Sequence, residues 1–95
     1  MKILIIGDVV GNCGTSFLRQ NLSDFARANS VDMIIANGEN ASKGNGLDLA
    51  SAELLFVSGV DVITSGNHII YNSKVEMKNT VSNYIFQITS LFLLV

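Results

Sequence analysis

Three short apolar segments, each ended by a polar break that contains glycine, constrain the fold of this 95-residue chain most strongly. The segments run from Lys2 to Ile6, from Asp32 to Ala36 and from Asp61 to Thr64. Their apolar, largely β-branched residues predict strands that are buried on both faces. The breaks that follow them are GDVVGNCGTS, NGENASKGNG and SGNH. Such breaks end strands and leave polar groups at the strand ends.

The two stretches between these strands have the spacing of amphipathic helices. Thr15 or Ser16 is expected to cap a helix that runs to about Asn29, and a second helix is predicted over residues 48–58. The apolar positions at helical spacing are Phe17, Leu18, Leu22, Phe25 and Ala26 in the first helix and Leu49, Ala52, Leu55 and Phe56 in the second. The order β-α-β-α-β with short links predicts an α/β fold, in which helices pack on a parallel sheet.

The chain changes character near residue 79. The last 17 residues, NTVSNYIFQITSLFLLV, begin polar and become densely apolar without a matching polar face. Periodicity leaves three alternatives open for this tail: a strand, a buried helix or an exposed remnant. We therefore divide the chain into an N-terminal part of a domain, residues 1–78, and a divergent apolar tail, residues 79–95. The length indicates one small domain.

Composition narrows the classes of partner. The formal net charge is −2 and the six basic residues are scattered, which argues against a nucleic-acid surface. Cys13 is the single cysteine, so an intramolecular disulfide is excluded, as is usual in a reducing cytosol. Asp8 interrupts the first apolar run, so that run does not form a secretory signal. The apolar tail is shorter than the roughly 20 residues of a bilayer span. We expect a cytoplasmic protein with no membrane segment.

Polar side chains recur at all three strand ends. The first end carries Asp8, the second Glu39 and Asn40, and the third Asn67 and His68. Neighbouring parallel strands lie about 4.8 Å apart, and their carboxyl ends form the edge where α/β sheets bind ligands. Oxygen and imidazole donors suit Mn, Fe, Zn or Mg. Each residue alone has an ordinary explanation as a turn, cap or loop residue. Their repetition at successive strand ends favours a metal site.

A dinucleotide-binding turn is the competing interpretation of the first break. GDVVGNCG follows a strand, but the G-x-G-x-x-G fingerprint requires a glycine where Val9 stands. Asp8 would also direct a negative charge at the pyrophosphate. Glu39 lies in the approximate sequence position of the acid that binds the ribose. A Rossmann-like nucleotide binder therefore stays as a weaker alternative.

Three motifs carry a resemblance to a known family. MKILIIGDVVG, IIANGENASKGNGL and GVDVITSGNH, in this order, resemble the YmdB-like family of bacterial metallophosphoesterases, relatives of the calcineurin-like phosphoesterases. The resemblance covers about residues 1–78. It implies that the chain is the β-α-β-α-β parallel-sheet half of a layered metallophosphoesterase domain, truncated after its N-terminal part. It also implies a phosphodiesterase that acts on small cyclic nucleotides such as 2′,3′-cyclic or 3′,5′-cyclic AMP.

The resemblance also implies a role for each strand-end residue. Asp8 and Asn40 would bind a first metal ion, Glu39 would bridge both ions and Asn67 would bind the second. His68 would donate a proton to the leaving oxygen, a role that suits an imidazole. The implied cofactor is a pair of divalent ions, with Fe or Mn favoured and Mg or Zn as further candidates.

The chain departs from the family pattern in two respects. Ile69, Ile70 and Tyr71 follow GNH, where the family usually has roughly Thr-Trp-Asp. The family is also more than twice as long, and its later half supplies several metal-binding histidines, whereas His68 is the one histidine here. We expect a weak or inactive fragment whose tail resembles the product of a premature stop or frameshift, and whose uncovered sheet favours association into homo-oligomers. The alternative is a non-catalytic binding or assembly module with a relic site.

Overall fold

The described strands of this protein form one parallel sheet. A computed structural model describes residues 1–43 and 46–65, together with the backbone of residues 85–87. Its elements are β1 (Ile3–Asp8), α1 (Gly11–Ala28), β2 (Met33–Asn37), α2 (Leu49–Ser58), β3 (Val62–Ser65) and β4 (Ile85–Gln87). The sheet has the order β1-β2-β3-β4, and each neighbouring pair is parallel. The predicted α/β class and β-α-β-α-β order are confirmed.

The core lies between one face of the sheet and the two helices. Ile6 of β1 pairs with Ala36 of β2, and Ala36 pairs with Ile63 of β3, so these three residues form one row across the sheet. Leu22 of α1 and Leu55 of α2 belong to the same buried cluster as this row. Right-handed crossovers between strands in sequential order place successive helices on the same face, which explains why both helices pack here.

The opposite face of the sheet differs from the prediction that the strands are buried on both faces. Ile3 and Ile5 of β1 are 46% and 74% exposed. In β2, buried residues alternate with the half-buried Met33 and Ile35. We call the face formed by the row Ile5, Ile35 and Val62 the open face. Both described helices occupy the other side of the sheet, and for this reason the prediction of two buried faces is wrong for β1.

Helix α1 begins earlier than the predicted cap. It starts at Gly11, and Val10 stands at the N-cap without a side-chain hydrogen bond. Gly11 has a φ of 59°, a left-handed conformation that glycine adopts without strain, so the chain enters the helix two residues after β1. The Thr15 hydroxyl donates instead to the carbonyl oxygens of Gly11 and Asn12, at 3.2 and 3.3 Å. The predicted capping role of Thr15 or Ser16 is therefore wrong.

The buried face of α1 is narrower than predicted. Leu18 and Leu22 are buried, whereas Phe17 and Phe25 are 64% and 53% exposed. The two phenylalanines lie at the flank of the helix, where they help to line an open apolar groove of about 640 Å³ beside Leu4 and the other core-facing residues of β1. Among the described strands β1 is at the edge, so no described strand extends the sheet beneath them.

Helix α2 agrees closely with the predicted span of residues 48–58. Asp48 is its N-cap, and the Asp48 carboxylate accepts a 2.8 Å hydrogen bond from the Ser51 amide. Gly59 ends the helix in a left-handed conformation with a φ of 114°, a common helix terminus. Ala52 and Leu55 are fully buried, as the helical spacing predicted.

Strand β4 lies within the divergent tail, residues 79–95. Its three residues pair in parallel with β3, so this part of the tail is a strand, one of the three alternatives. The boundary between residues 78 and 79 stays a prediction. Neither helix in the described part of the chain combines the length and apolar content needed to cross a membrane.

Candidate metal site at the carboxyl edge of the sheet

Asp8 is the last residue of β1 and sits directly beside the end of β2. It pairs with Asn37 across a register shift between Ile6 and Asp8. The Val9 amide then donates a 3.0 Å hydrogen bond to the Asn37 carbonyl oxygen, which continues the ladder past the last residue of β1. Asp8 is exposed, so its carboxylate is accessible at this edge. The polar group that the sequence places after the strand therefore belongs to the strand itself.

The turn after β2 is held by backbone and side-chain hydrogen bonds. The Gly38 amide donates to the Thr64 carbonyl oxygen of β3 at 2.9 Å. The Glu39 amide donates to the Asn37 side-chain oxygen Oδ1 at 3.0 Å. A Cβ at Gly38 would lie 2.9 Å from Ile63 Cγ2, so a side chain at this position would collide with the core. The close packing explains the glycine in this turn.

Asn40 joins the first two strand ends. Its side-chain nitrogen Nδ2 donates a 3.0 Å hydrogen bond to Asp8 Oδ1. Its carbonyl oxygen accepts a 2.9 Å hydrogen bond from the Gly11 amide at the start of α1. The side chain and backbone of one residue thus hold the end of β1, the turn after β2 and the first residue of α1 together.

The structure brings together part of the predicted ligand set. Asp8 and Asn40 are in direct contact, and Glu39 is the chain neighbour of Asn40, half-buried in the same turn. Asn67 and His68, predicted as a ligand and as the proton donor, lie outside the described residues. Within residues 1–43 and 46–65, no three His, Cys, Asp or Glu side chains are grouped as a metal cluster. The described residues therefore include three of the five predicted site residues, Asp8, Glu39 and Asn40.

The donors that are present fit a hard divalent cation. Two carboxylates and an amide oxygen are the ligand types that Mg²⁺, Mn²⁺ and Fe²⁺ accept in proteins. The Asn40 nitrogen Nδ2 donates a hydrogen bond to the Asp8 carboxylate. A cation between Asp8 and Glu39 would be attracted to both negative charges. The donor types of these three side chains thus agree with oxygen-rich coordination.

The hydrogen bond between Asn37 and Glu39 was not predicted from the sequence. Asn-Gly is an ordinary turn dipeptide, so the sequence pattern assigns Asn37 no role beyond the turn. In the structure its side chain accepts the hydrogen bond from the Glu39 amide, two residues further along the chain. The spacing of an asparagine two residues before the bonded amide is the pattern of an Asx turn, and this spacing could have identified the contact.

Comparison with known proteins identifies relatives by sequence. The YmdB-like protein family matches residues 4–86. Over 68 residues, the chain is 41% identical to the 2′,3′-cyclic-nucleotide 2′-phosphodiesterase of Bacillus subtilis, and the match covers 72% of this chain and 26% of that protein. The chain spans about a quarter of the length of the curated relatives that it matches.

Solved structures share the fold. A hypothetical protein from Thermus thermophilus superposes with a TM-score of 0.77 at 35% identity, covering 92% of this chain and 33% of that chain. A phosphatase from Mycoplasma pneumoniae, described as novel, superposes with a TM-score of 0.71 at 36% identity, covering 77% of this chain and 26% of that chain. Because the family match takes in most of the sequence, including the strand ends that carry Asp8, Glu39 and Asn40, the chain belongs to the YmdB-like protein family.

Proposed function

We propose that this chain contributes the strand-end side of a divalent-metal site in a phosphodiesterase that acts on small cyclic nucleotides. The observation that carries the proposal is the 3.0 Å contact between Asn40 Nδ2 and Asp8 Oδ1. It joins side chains that are 32 positions apart in sequence, at the edge where α/β sheets bind ligands. The two carboxylates that this edge carries, Asp8 and Glu39, are suited to a divalent cation.

The chain's residues take the following roles in this proposal. Asp8 and Asn40 would hold the first divalent ion, Asn67 would hold the second, and Glu39 would serve as a ligand to both. His68 donates the proton to the leaving oxygen of the phosphodiester. When bound, the two ions supply positive charge that stabilises the phosphoryl oxygens during displacement. Fe or Mn is favoured for both positions, with Mg or Zn as further candidates.

Support for the substrate class comes from the relatives. The Bacillus subtilis relative is named for hydrolysis of 2′,3′-cyclic nucleotides, and it shares 41% identity over the 68 matched residues. A small phosphodiester is also consistent with the net charge of −2 and the scattered basic residues, which do not suit a long nucleic acid. The single cysteine supports a cytoplasmic location.

We further propose that this chain binds metal weakly and turns over little or no substrate alone. Only four protein ligands are assigned to the two ions. Two are the carboxylates of Asp8 and Glu39, and two are the neutral amides of Asn40 and Asn67. The sequence contains one histidine, which has the proton-donor role. Loss of a residue that only supports a ligand lowers metal affinity about 10–100-fold, and a shortage of direct ligands should lower it further.

Calorimetric titration with Mn²⁺ tests the site. We expect weak binding to residues 1–95 that disappears in Glu39→Ala. Glu53→Ala is the matched control, because Glu53 is an exposed acid on α2, and it should bind Mn²⁺ like the unmodified chain. Equal binding in both variants, or loss in Glu53→Ala, would contradict the assignment of Glu39.

Hydrolysis of bis-p-nitrophenyl phosphate tests the proposed impairment. With Mn²⁺ or Fe²⁺ present, we expect no turnover by residues 1–95 under conditions in which the full Bacillus subtilis relative is active. Metal-dependent turnover that is lost in Glu39→Ala would show instead that this chain is a competent enzyme.

A non-catalytic module with a relic site is the second candidate. The observation in its favour is that the described residues contain no group of three His, Cys, Asp or Glu side chains. The same calorimetric titration separates the two candidates: a stoichiometry near two ions per chain supports the enzyme, and no binding supports the module. The Rossmann-like alternative requires nucleotide binding that a chelator does not affect.

A further inference from the structure

We infer that Asn37 is a positioning residue that sets Glu39 in place relative to Asp8. The inference rests on the proposed function for its consequence in metal binding, and on geometry for the positioning itself. Asn37 accepts two hydrogen bonds. Its carbonyl oxygen accepts from the Val9 amide at 3.0 Å, and its side-chain oxygen Oδ1 accepts from the Glu39 amide at 3.0 Å.

The Asn37 contacts link the two proposed ligands through short paths. Val9 follows Asp8 directly, and Asp8 pairs with Asn37 in the sheet register. On the other side, the Oδ1 contact fixes the backbone nitrogen of Glu39 itself. A change in the side-chain rotamer of Asn37 would therefore move the backbone of Glu39 while leaving the end of β1 in place.

Two other backbone amides of the turn already have acceptors of their own. The Gly38 amide is already bonded to the Thr64 carbonyl oxygen, and the Ala41 amide donates to the Gly38 carbonyl oxygen at 3.1 Å. Gly38 is enclosed by the side chains of Ile63 and Leu55, so the turn has little room to rearrange. The Glu39 amide lies in a half-buried residue and would lose its acceptor if Asn37 were replaced by an apolar side chain.

The side-chain oxygen of Asn37 is the atom that accepts the hydrogen bond from the Glu39 amide. An amide N–H requires an acceptor, so the oxygen of the Asn37 carboxamide faces Glu39 and the nitrogen faces away. Aspartate keeps an oxygen at the same position, whereas leucine has a similar shape and no acceptor. Asn37→Asp is thus the conservative variant, and Asn37→Leu removes the acceptor.

Amide hydrogen exchange measured by NMR tests the positioning directly. In Asn37→Leu we expect the Glu39 amide to exchange about three- to tenfold faster, the effect of losing one hydrogen bond. The Gly38 amide should keep its protection, because its acceptor is the Thr64 carbonyl oxygen. Asn37→Asp should restore the protection of Glu39. Asn21→Leu is the control, since Asn21 is an exposed asparagine on α1 whose side chain bonds the Phe17 carbonyl oxygen.

Mn²⁺ titration of the same variants tests the consequence for the site. Affinity should fall about 10–100-fold in Asn37→Leu and stay unchanged in Asn21→Leu. Asn37→Asp should bind at least as tightly as the unmodified chain, because it keeps the acceptor and adds a negative charge.

Three outcomes are decisive. Unchanged exchange at Glu39 in Asn37→Leu would overturn the inference. Equal acceleration at Glu39 and Gly38 would also overturn it, since it would show general loosening of the turn. If the unmodified chain binds no Mn²⁺, the proposed function fails, and the exchange pattern alone still decides whether Asn37 positions Glu39.

Discussion

The two faces of the sheet have similar sequences and very different environments. On the helix-covered face, Ala36 and Ile63 are fully buried, whereas on the open face Ile5 is 74% exposed. Both rows are apolar, as expected for parallel strands that are covered on both sides. An apolar strand pattern therefore shows which faces of a sheet can be buried. The elements that pack beside the sheet decide which face is buried in the fold.

Truncation of one residue on each face should show the largest difference in stability between the two faces. Leu55→Ala removes a fully buried side chain and should lower the free energy of unfolding by about 2–5 kcal/mol. Ile5→Ala removes a side chain that is largely in water and should change it by about 0.5 kcal/mol or less. Urea denaturation followed by circular dichroism measures both. Similar losses at the two positions would show that the open face is covered in solution.

Two glycines differ in how closely other side chains pack around them. Gly38→Ala places a methyl group against Ile63 and Leu55 of the covered side and should cost about 1–3 kcal/mol. A Cβ at Gly7, in β1, would meet no atom within 4 Å, so Gly7→Ala is the matched control with little change in stability. The difference in urea midpoint between the two variants measures the effect. A larger loss in Gly7→Ala would contradict the packing described for the turn.

A charge on the open face should also have only a small effect on stability. Ile5→Lys should change the free energy of unfolding by less than about 1 kcal/mol, because the side chain is mostly exposed. It should nevertheless reduce concentration-dependent association measured by light scattering, since it interrupts the apolar row Ile5, Ile35 and Val62. Val57→Lys, on α2 at 65% exposure, is the control. If Val57→Lys suppresses association equally, the open face is not responsible for it.

Topology and the meeting of strand ends were predictable because they depend on the order of the elements. Parallel neighbouring strands bring their carboxyl ends to one edge, and this alone predicts that Asp8 and Asn40 approach each other. The spacing of Ala52 and Leu55 likewise predicted the buried face of α2, since both follow from helical periodicity.

Other features depend on details that residue patterns do not carry. Gly11 starts α1 in a left-handed conformation, which rules for side-chain caps do not anticipate, so the predicted cap at Thr15 or Ser16 is wrong. The exposure of Ile5 depends on which layers surround the sheet. The role of Asn37 depends on one rotamer that directs its oxygen to the Glu39 amide. These three features cannot be read from the sequence, because the same residues could adopt other local conformations of similar energy.

We propose that the carboxyl edge of this sheet binds a divalent ion through Asp8, Glu39 and Asn40. Paramagnetic broadening of amide signals during an NMR titration with Mn²⁺ tests it most directly, because broadening identifies the residues nearest the ion even when binding is weak. We predict that the amide signals of these three residues broaden first, while the signal of Glu53 on α2 persists. Broadening that begins at Glu53 or at other acidic residues, with the carboxyl edge unaffected, would contradict the claim.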